Sequence, residues 1–132
     1  MKSFNLKIVT PDGLFFDSEV ESLLVRTDDG DVEFLAGHID YMASLGTGRA
    51  RIKQGGKDRY ASVSGGFVTV KGGEVNLVAV TFEFRENIDL ERAKAARDQA
   101  KSTISSTSDD KVLKVAKAKL QRALNRIDVA EM

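Results

Sequence analysis

The chain changes character at the stretch Ile88-Asp89-Leu90-Glu91-Arg92-Ala93. From Ile88 to the C-terminus there is no glycine and no proline, and alanine becomes frequent, which favours helix. Asp89 is in position to cap the first helix, because its carboxylate can accept a backbone N–H bond from the first turn. The polar run 105–110 interrupts the helical pattern. We therefore predict an antiparallel helix-turn-helix domain, a helical hairpin, over residues 87–132.

Each helix carries a predicted apolar face. These faces are Ala93, Ala96, Ala100 and Ile104 on the first helix, and Leu113, Ala116, Leu120, Ala123, Leu124 and Ile127 on the second. The small alanine side chains let the helix axes come close, but their burial contributes little at about 25 cal/mol per Å². We expect a hairpin of marginal stability that acts as a movable appendage.

Up to about Phe84 the chain is rich in β-branched and aromatic residues, with turn signals at intervals typical of a small sandwich. Thr10-Pro11-Asp12-Gly13 predicts the turn of a first hairpin. Gly55-Gly56 and Gly72-Gly73 each place two glycines where a two-residue hairpin loop needs positive φ. Residues 67–80 are apolar on both faces, as two packed sheets would require. The predicted fold is an antiparallel β-sandwich over residues 1–86, followed by the α-helical hairpin.

Composition excludes several classes of function. The 132 residues include no cysteine, so thiolate zinc sites, iron–sulfur clusters and cysteine nucleophiles are excluded. Twenty Lys and Arg balance twenty Asp and Glu, which argues against nucleic acid or anionic lipid as the main partner. The N-terminal residues have no apolar signal segment, and no apolar run approaches the roughly 18 residues of a membrane span. A cytoplasmic protein is expected.

The sequence carries no catalytic constellation. His38 is the only histidine, and no G-x-S-x-G motif is present. The acidic segment 28–33 lacks EF-hand spacing, so no metal site is predicted. There is no G-K-[ST] phosphate loop, and Gly46-Thr47-Gly48 lacks the third glycine of a dinucleotide-binding motif. We therefore expect a protein that is not an enzyme.

Arginines recur on the helical segment. Arg122 and Arg126 lie one turn apart on the second helix, and Arg92 and Arg97 lie on the facing helix. They form either a solvated charged face or an anion site between the helices, because guanidiniums bind phosphate with paired hydrogen bonds.

In the order of its parts the chain resembles the epsilon subunits of F-type ATP synthases. The motifs that carry the resemblance are 6–13 (LKIVTPDG), Gly37-His38, 64–68 (SGGFV), 88–93 (IDLERA) and 123–127 (ALNRI). The resemblance implies a non-catalytic rotor subunit that joins the central stalk to the membrane ring through its sandwich. It also implies that the hairpin restrains ATP hydrolysis, and that the protein is peripheral on the cytoplasmic face of the bacterial plasma membrane.

The partners implied by the resemblance are the gamma subunit and the proteolipid ring, together with the alpha and beta subunits of the catalytic head when the hairpin is extended. The residues implied to face the ring are Asp29, Asp31, Glu33 and His38. Those implied to meet acidic surface of the head are Lys111, Lys114, Lys117, Arg122 and Arg126. The family usually has proline two residues after the Gly-His pair, where this chain has Asp40.

The resemblance implies no required cofactor, but ATP is implied as a regulatory ligand. In several bacterial members I-D-x-x-R-A belongs to an ATP site on the folded hairpin. The matching residues here are Glu83, Ile88, Asp89, Arg92, Ala93, Arg122 and Arg126. Asp89 either contacts the neutral edge of the nucleotide or only caps the helix. ATP-binding members commonly carry a further arginine on the first helix, where this chain has Gln99.

On the residues alone, a function of another class stays open. The chain could be a free-standing ligand-binding sandwich for carbohydrate or nucleotide, with the hairpin as a dimerisation element. Carbohydrate platforms use exposed aromatic side chains, and this chain has no Trp and only Tyr41 and Tyr60.

Overall fold

The computed structural model describes residues 2–132, which form two compact units divided between Phe84 and Arg85. The first unit contains β1 (Phe4–Thr10), β2 (Gly13–Val20), β3 (Ser22–Thr27), β4 (Gly30–Leu35), β5 (Tyr41–Ser44), β6 (Gly48–Gln54), β7 (Lys57–Lys71) and β8 (Glu74–Phe84). The second contains a short 3-10 helix (Arg85–Asn87), α1 (Leu90–Ser106) and α2 (Asp110–Ala130). The boundary predicted after residue 86 falls inside that 3-10 helix.

The first unit is the predicted β-sandwich, and its two layers are joined by the long strands β7 and β8. The first half of β7 pairs with β6, and its second half pairs with β5. One layer therefore has the order β2-β1-β8-β7-β5, and the other has the order β4-β3-β6-β7-β8. The pairing of β1 with β8 is parallel, whereas an antiparallel sandwich was predicted. These two strands come from opposite ends of the unit, so no tight turn dictates their direction.

Gly66 lies where β7 passes from one layer to the other. Its φ is +101°, and a Cβ atom there would lie 1.8 Å from the carbonyl oxygen of Val78 on β8. Glycine adopts such a φ at little steric cost and lets two backbones approach closely. Together with Gly65, whose φ is +71°, it allows the paired strands to bend as a unit.

The three predicted hairpin turns are confirmed. Pro11-Asp12 separates β1 from β2, and the two glycine pairs join β6 to β7 and β7 to β8. The glycine φ values are +60° and +76° at Gly55-Gly56, and +57° and +81° at Gly72-Gly73. Positive φ at both central residues is the two-residue geometry that matches the twist of the flanking strands.

The core lies between the layers and takes one face of each strand. On β8, Val75, Leu77 and Ala79 are buried, whereas Val80, on the opposite face of the same strand, is 61% exposed. Packing of two sheets therefore accounts for only one of the two apolar faces seen in residues 67–80. The other apolar face remains on the surface.

The second unit is the predicted helical hairpin. Asp89 caps α1 as predicted, with its carboxylate accepting a 3.1 Å hydrogen bond from the backbone N–H of Arg92. Asp109 caps α2 and accepts from the N–H groups of Lys111 and Val112. Each cap satisfies backbone donors that the first helical turn leaves without an intrahelical partner.

The helix seam consists mainly of alanine. Buried side chains are Ala93 and Ala100 on α1, and Ala116, Ala123, Ile127 and Val129 on α2. Leu124 was predicted to lie on the apolar face of the second helix and is 40% exposed. It follows Ala123 directly, so it lies about 100° further around the helix than that buried alanine.

Candidate functional site

A groove of about 450 Å³ runs along one edge of the helical hairpin. Its lining residues are Ala96, Gln99, Ala100 and Thr103 from α1, and Lys111, Val112, Val115, Ala116, Lys119, Arg122, Ala123 and Arg126 from α2. The buried alanines at 100, 116 and 123 form its base. The volume lies in the range of about 300–1,000 Å³ found for small-molecule sites.

The charges of the groove are of one sign and lie on one wall. Lys119, Arg122 and Arg126 follow one another at intervals of three and four residues, so the 3.6-residue period places them in a stripe along α2. No lining residue is acidic, and the α1 wall contributes only uncharged side chains. Such a groove attracts an anion through a local excess of positive charge.

The residues predicted for an ATP site fall into three places. Arg122 and Arg126 both line the groove, and Gln99 lines it from α1. The other members from the hairpin unit lie just before α1 or in its first turn, outside the groove lining; they are Ile88, Asp89, Arg92 and Ala93. Glu83 belongs to β8 in the sandwich unit.

Sequence reasoning missed Lys119 as a candidate binding residue. It also missed Val112 and Val115, which form an apolar stretch of the same α2 wall. The sequence did contain a signal for Lys119, because it precedes Arg122 by three residues and Arg126 by seven and therefore shares their helix face. Of the cations predicted to meet the catalytic head, Lys111 also lines the groove, whereas Lys114 and Lys117 are exposed outside its lining.

The acidic residues predicted to face the ring are paired within the sandwich. Asp31 forms a 2.6 Å ion pair with Arg26, and Glu33 forms an ion pair with Arg51. The hydrogen bond from Arg26 lowers the pKa of Asp31 below its ordinary value, because it stabilises the ionised carboxylate. These two carboxylates are therefore partly neutralised by the protein itself.

A tyrosine links the acidic turn to the His38 loop. The hydroxyl of Tyr41 donates a 2.9 Å hydrogen bond to Asp29. Burial and this hydrogen bond raise the pKa of Tyr41, because both favour the neutral phenol that donates to Asp29. The rings of Tyr41 and His38 both pack against buried Phe34, with centroid separations of 5.6 Å and 4.9 Å.

The loop that follows His38 is tied to the β7–β8 turn. Asp40 accepts a 3.1 Å hydrogen bond from the backbone N–H of Gly72. Asp40 stands where the epsilon subunits that the chain resembles usually have proline. In this chain the hydrogen bond of the Asp40 side chain restrains the loop. Ile39, beside it, is 78% exposed.

An apolar sheet face lies on the outside of the β2-β1-β8-β7-β5 layer. Strand register places Leu14, Val9, Val78 and Phe67 side by side across it. Leu14 and Phe67 are exposed, and Val80 extends the same surface. The outside of the opposite layer instead carries the ion pairs made by Asp31 and Glu33. Contiguous apolar surface of this kind marks an interaction site in soluble proteins.

The described residues contain neither a cluster of metal ligands nor a helix that could span a membrane. Among residues 2–132, no three or more His, Asp or Glu side chains are grouped so that they could hold a metal ion. Within the same range, neither α-helix combines the length and apolar character that crossing a bilayer requires.

Sequence profiles of one family match both units. The profile of the ATP synthase delta/epsilon chain beta-sandwich domain matches residues 3–85. The profile of the long alpha-helix domain of the same chains matches residues 86–131. The ATP synthase epsilon chain of Bacillus subtilis is 45% identical over 130 residues, covering 98% of both chains. The epsilon chain of Bacillus velezensis is 43% identical, with the same coverage.

Solved structures of ATP synthases contain a similar fold. A chain in the Euglena gracilis mitochondrial ATP synthase, determined as OSCP/F1/c-ring, aligns with a TM-score of 0.84 and 26% identity over 98% of this chain and 82% of that one. A chain of the Tetrahymena thermophila mitochondrial enzyme aligns with a TM-score of 0.70 at 12% identity, which establishes a shared fold only. Taken with the two profiles and the Bacillus relatives, these findings establish that the chain belongs to the ATP synthase epsilon chain family.

Proposed function

We propose that the chain is the non-catalytic central-stalk subunit that couples the catalytic head of an ATP synthase to its membrane ring, and that its hairpin inhibits ATP hydrolysis under the control of ATP. The observation that carries this proposal is the helical hairpin, a compact unit of its own with a groove lined by cations on one wall. A separate unit of this kind can change position while the sandwich stays assembled.

Assembly rests on the sandwich. The similar Euglena chain belongs to an F1/c-ring structure, which supports association of this chain with a stalk and a ring. The apolar sheet face suits the gamma subunit, because burial of Leu14 and Phe67 removes apolar surface from water. The loop of His38 and Ile39 and the turn with Asp29, Asp31 and Glu33 suit the ring. This arrangement makes the protein peripheral, on the cytoplasmic face of a bacterial membrane.

Inhibition rests on the hairpin in its extended form. Lys111, Lys114 and Lys117 are exposed on α2, and Arg122 and Arg126 lie on the same helix. These five cations can meet acidic surface of the alpha and beta subunits. Each exposed ion pair contributes about 0.2–1 kcal/mol, so several must act together to hold the hairpin there.

In this proposal ATP controls inhibition by binding to the hairpin in its folded form. Arg122 and Arg126 line the groove from α2 and Gln99 lines it from α1, so the groove exists only while the two helices are packed. A ligand that binds the folded hairpin alone shifts the population toward it by its differential affinity. Bound ATP therefore keeps the inhibitory helices away from the catalytic head.

Native copurification tests the assembly part of this function. The tagged chain should capture the gamma subunit and the ring from bacterial membranes, and Leu14→Asp and Phe67→Asp should weaken that capture. Lys57→Asp is the matched control, because Lys57 is exposed at the start of β7 and belongs neither to the apolar sheet face nor to the acidic turn. Equal capture by all three variants would reject the apolar sheet face as the contact. Capture of no ATP synthase subunit by the unmodified chain would reject the stalk function itself.

A further inference from the structure

The loop between β4 and β5 is anchored by the two consecutive residues at which it meets β5. Asp40 accepts a 3.1 Å hydrogen bond from the backbone N–H of Gly72 in the β7–β8 turn. Tyr41, the first residue of β5, donates a 2.9 Å hydrogen bond to Asp29 in the β3–β4 turn. The end of the loop is therefore tied to two different turns.

The bond made by Asp40 continues the pairing of β5 with β7 beyond its backbone ladder. The first residue of β5, Tyr41, pairs with Val70, and β7 ends at Lys71. Gly72 already belongs to the turn, so its N–H lies past the last residue of the strand. The carboxylate of Asp40 supplies an acceptor for this N–H, as short polar side chains do at the ends of regular structure.

Ile39 is the residue that this anchoring presents to solvent. It is 78% exposed, and it lies between Asp40 and His38, whose ring packs edge-on against buried Phe34. The Nδ1 of His38 donates a 2.8 Å hydrogen bond to the carbonyl oxygen of Ile39, and the backbone N–H of His38 donates a 3.1 Å bond to the carbonyl of Leu35. The backbone is thus restrained on both sides of an apolar side chain that stays in water.

We propose that Asp40 is a positioning residue, and that its hydrogen bond to Gly72 fixes the loop so that Ile39 contacts the membrane ring. The inference rests on the ring contact of the proposed function and adds the residue that orients it. A mobile loop loses backbone freedom when it binds, and this cost is smaller when the loop is already restrained. Burial of Ile39 against the ring then removes apolar surface from water.

Titration of the full-length chain onto ATP synthase that lacks its epsilon chain measures this role. Two preparations are compared, the complete complex and the catalytic head with the gamma subunit but without the ring. Asp40→Ala should weaken binding to the complete complex about threefold to tenfold, the size expected for loss of one hydrogen bond. Binding to the ring-free head should stay within about twofold, because the loop lies outside the apolar sheet face.

Asp40→Asn and Asp58→Ala are the matched variants. Asn keeps a carbonyl oxygen that can accept from Gly72, so Asp40→Asn should keep most of the affinity. Asp58→Ala removes an exposed carboxylate whose strand register is level with the start of β3, whereas the acidic turn follows the end of β3, and it should change neither affinity. Faster amide hydrogen exchange at Gly72 in Asp40→Ala, with an unchanged thermal melt, shows that the bond is lost and the fold kept.

A double-mutant cycle tests whether Asp40 acts through its neighbour. In an Ile39→Ser background, Asp40→Ala should weaken binding to the complete complex by less than about a further twofold, because both residues serve one contact. Full additivity of the two changes would overturn the role of Ile39 as the residue that Asp40 positions.

The outcomes separate this inference from the function on which it rests. If the unmodified chain prefers the complete complex and Asp40→Ala behaves like Asp58→Ala, Asp40 positions nothing, and the ring contact stands. Equal weakening toward both preparations by Asp40→Ala overturns the assignment to the ring. A loss in Asp40→Asn as large as in Asp40→Ala makes charge the cause and rejects the positioning role. Equal binding of the unmodified chain to both preparations rejects the ring contact and the role of Asp40 together.

Discussion

Gly66→Ala, within β7, should destabilise the sandwich more than an alanine at any glycine of the hairpin turns. At a φ of +101°, an added Cβ atom would lie 1.8 Å from the carbonyl oxygen of Val78, so β7 and β8 must separate by more than 1 Å to reach an acceptable 3.0 Å contact. The strained backbone costs about 1–3 kcal/mol. Displaced ladder hydrogen bonds at this half-buried bend cost about another 1–3 kcal/mol. The expected loss of unfolding free energy is therefore about 2–6 kcal/mol.

Gly72→Ala is the matched control for this change. Gly72 also has positive φ, at +57°, but an added Cβ atom would meet nothing within 4 Å. The expected loss is about 1–2 kcal/mol, from the left-handed conformation alone. Urea unfolding followed by tyrosine fluorescence measures both, because Tyr41 and Tyr60 lie in the sandwich unit and the chain has no Trp. A loss for Gly66→Ala no larger than that for Gly72→Ala would refute the role of the close approach to β8.

Three further changes test other parts of the structure. Truncation after Glu86 should leave a cooperative thermal transition, because the sandwich buries its own core, and strong dye binding without a transition would contradict this. Asp89→Ala should lower helix stability by about 0.5–2 kcal/mol in thermal melts, whereas an unchanged melt would show that the cap contributes nothing. Asp31→Asn should cost less than about 1 kcal/mol at pH 7, because its ion pair is half exposed. The lowered pKa of Asp31 means that this cost should disappear as the pH falls from about 4 through that pKa, and a cost that persists in acid would contradict the pairing.

Features set by a few neighbouring residues could be predicted from the sequence. The glycine pairs at 55–56 and 72–73 form the predicted turns, because positive φ at two successive residues has few other uses. The cap at Asp89 depends on groups within one helical turn. The order of the parts and the helical hairpin follow from the loss of glycine and proline after Ile88, which is also a local signal.

Features that depend on distant residues could not be predicted from the same reasoning. The parallel pairing of β1 with β8 joins segments about seventy residues apart, and no turn signal records it. The bend at Gly66 was visible only as a glycine in a strand-like segment, since its reason is the carbonyl group of Val78. The ion pairs that neutralise Asp31 and Glu33 likewise connect different strands, so the segment looked like a free acidic turn.

The candidate site also has one part that the sequence predicts and one part that it does not. Arg122 and Arg126 could be placed on one face, because helical spacing sets their relation. Their position opposite Gln99 depends on how α1 and α2 pack, and the alanine seam leaves that register weakly specified in the sequence. Lys119 has regular helical spacing to both arginines. That it lines a groove, however, follows only from the packing of α1 against α2.

Deletion of residues 88–132 from the chain within an assembled ATP synthase tests the inhibitory function most directly. The measurement is ATP hydrolysis by the purified complex, at low and at millimolar ATP, with subunit composition checked in the same samples. Hydrolysis should rise with assembly intact, and the increase should be larger at low ATP, where little nucleotide keeps the hairpin folded. Unchanged hydrolysis by a fully assembled complex at both ATP concentrations would contradict an inhibitory hairpin in this chain.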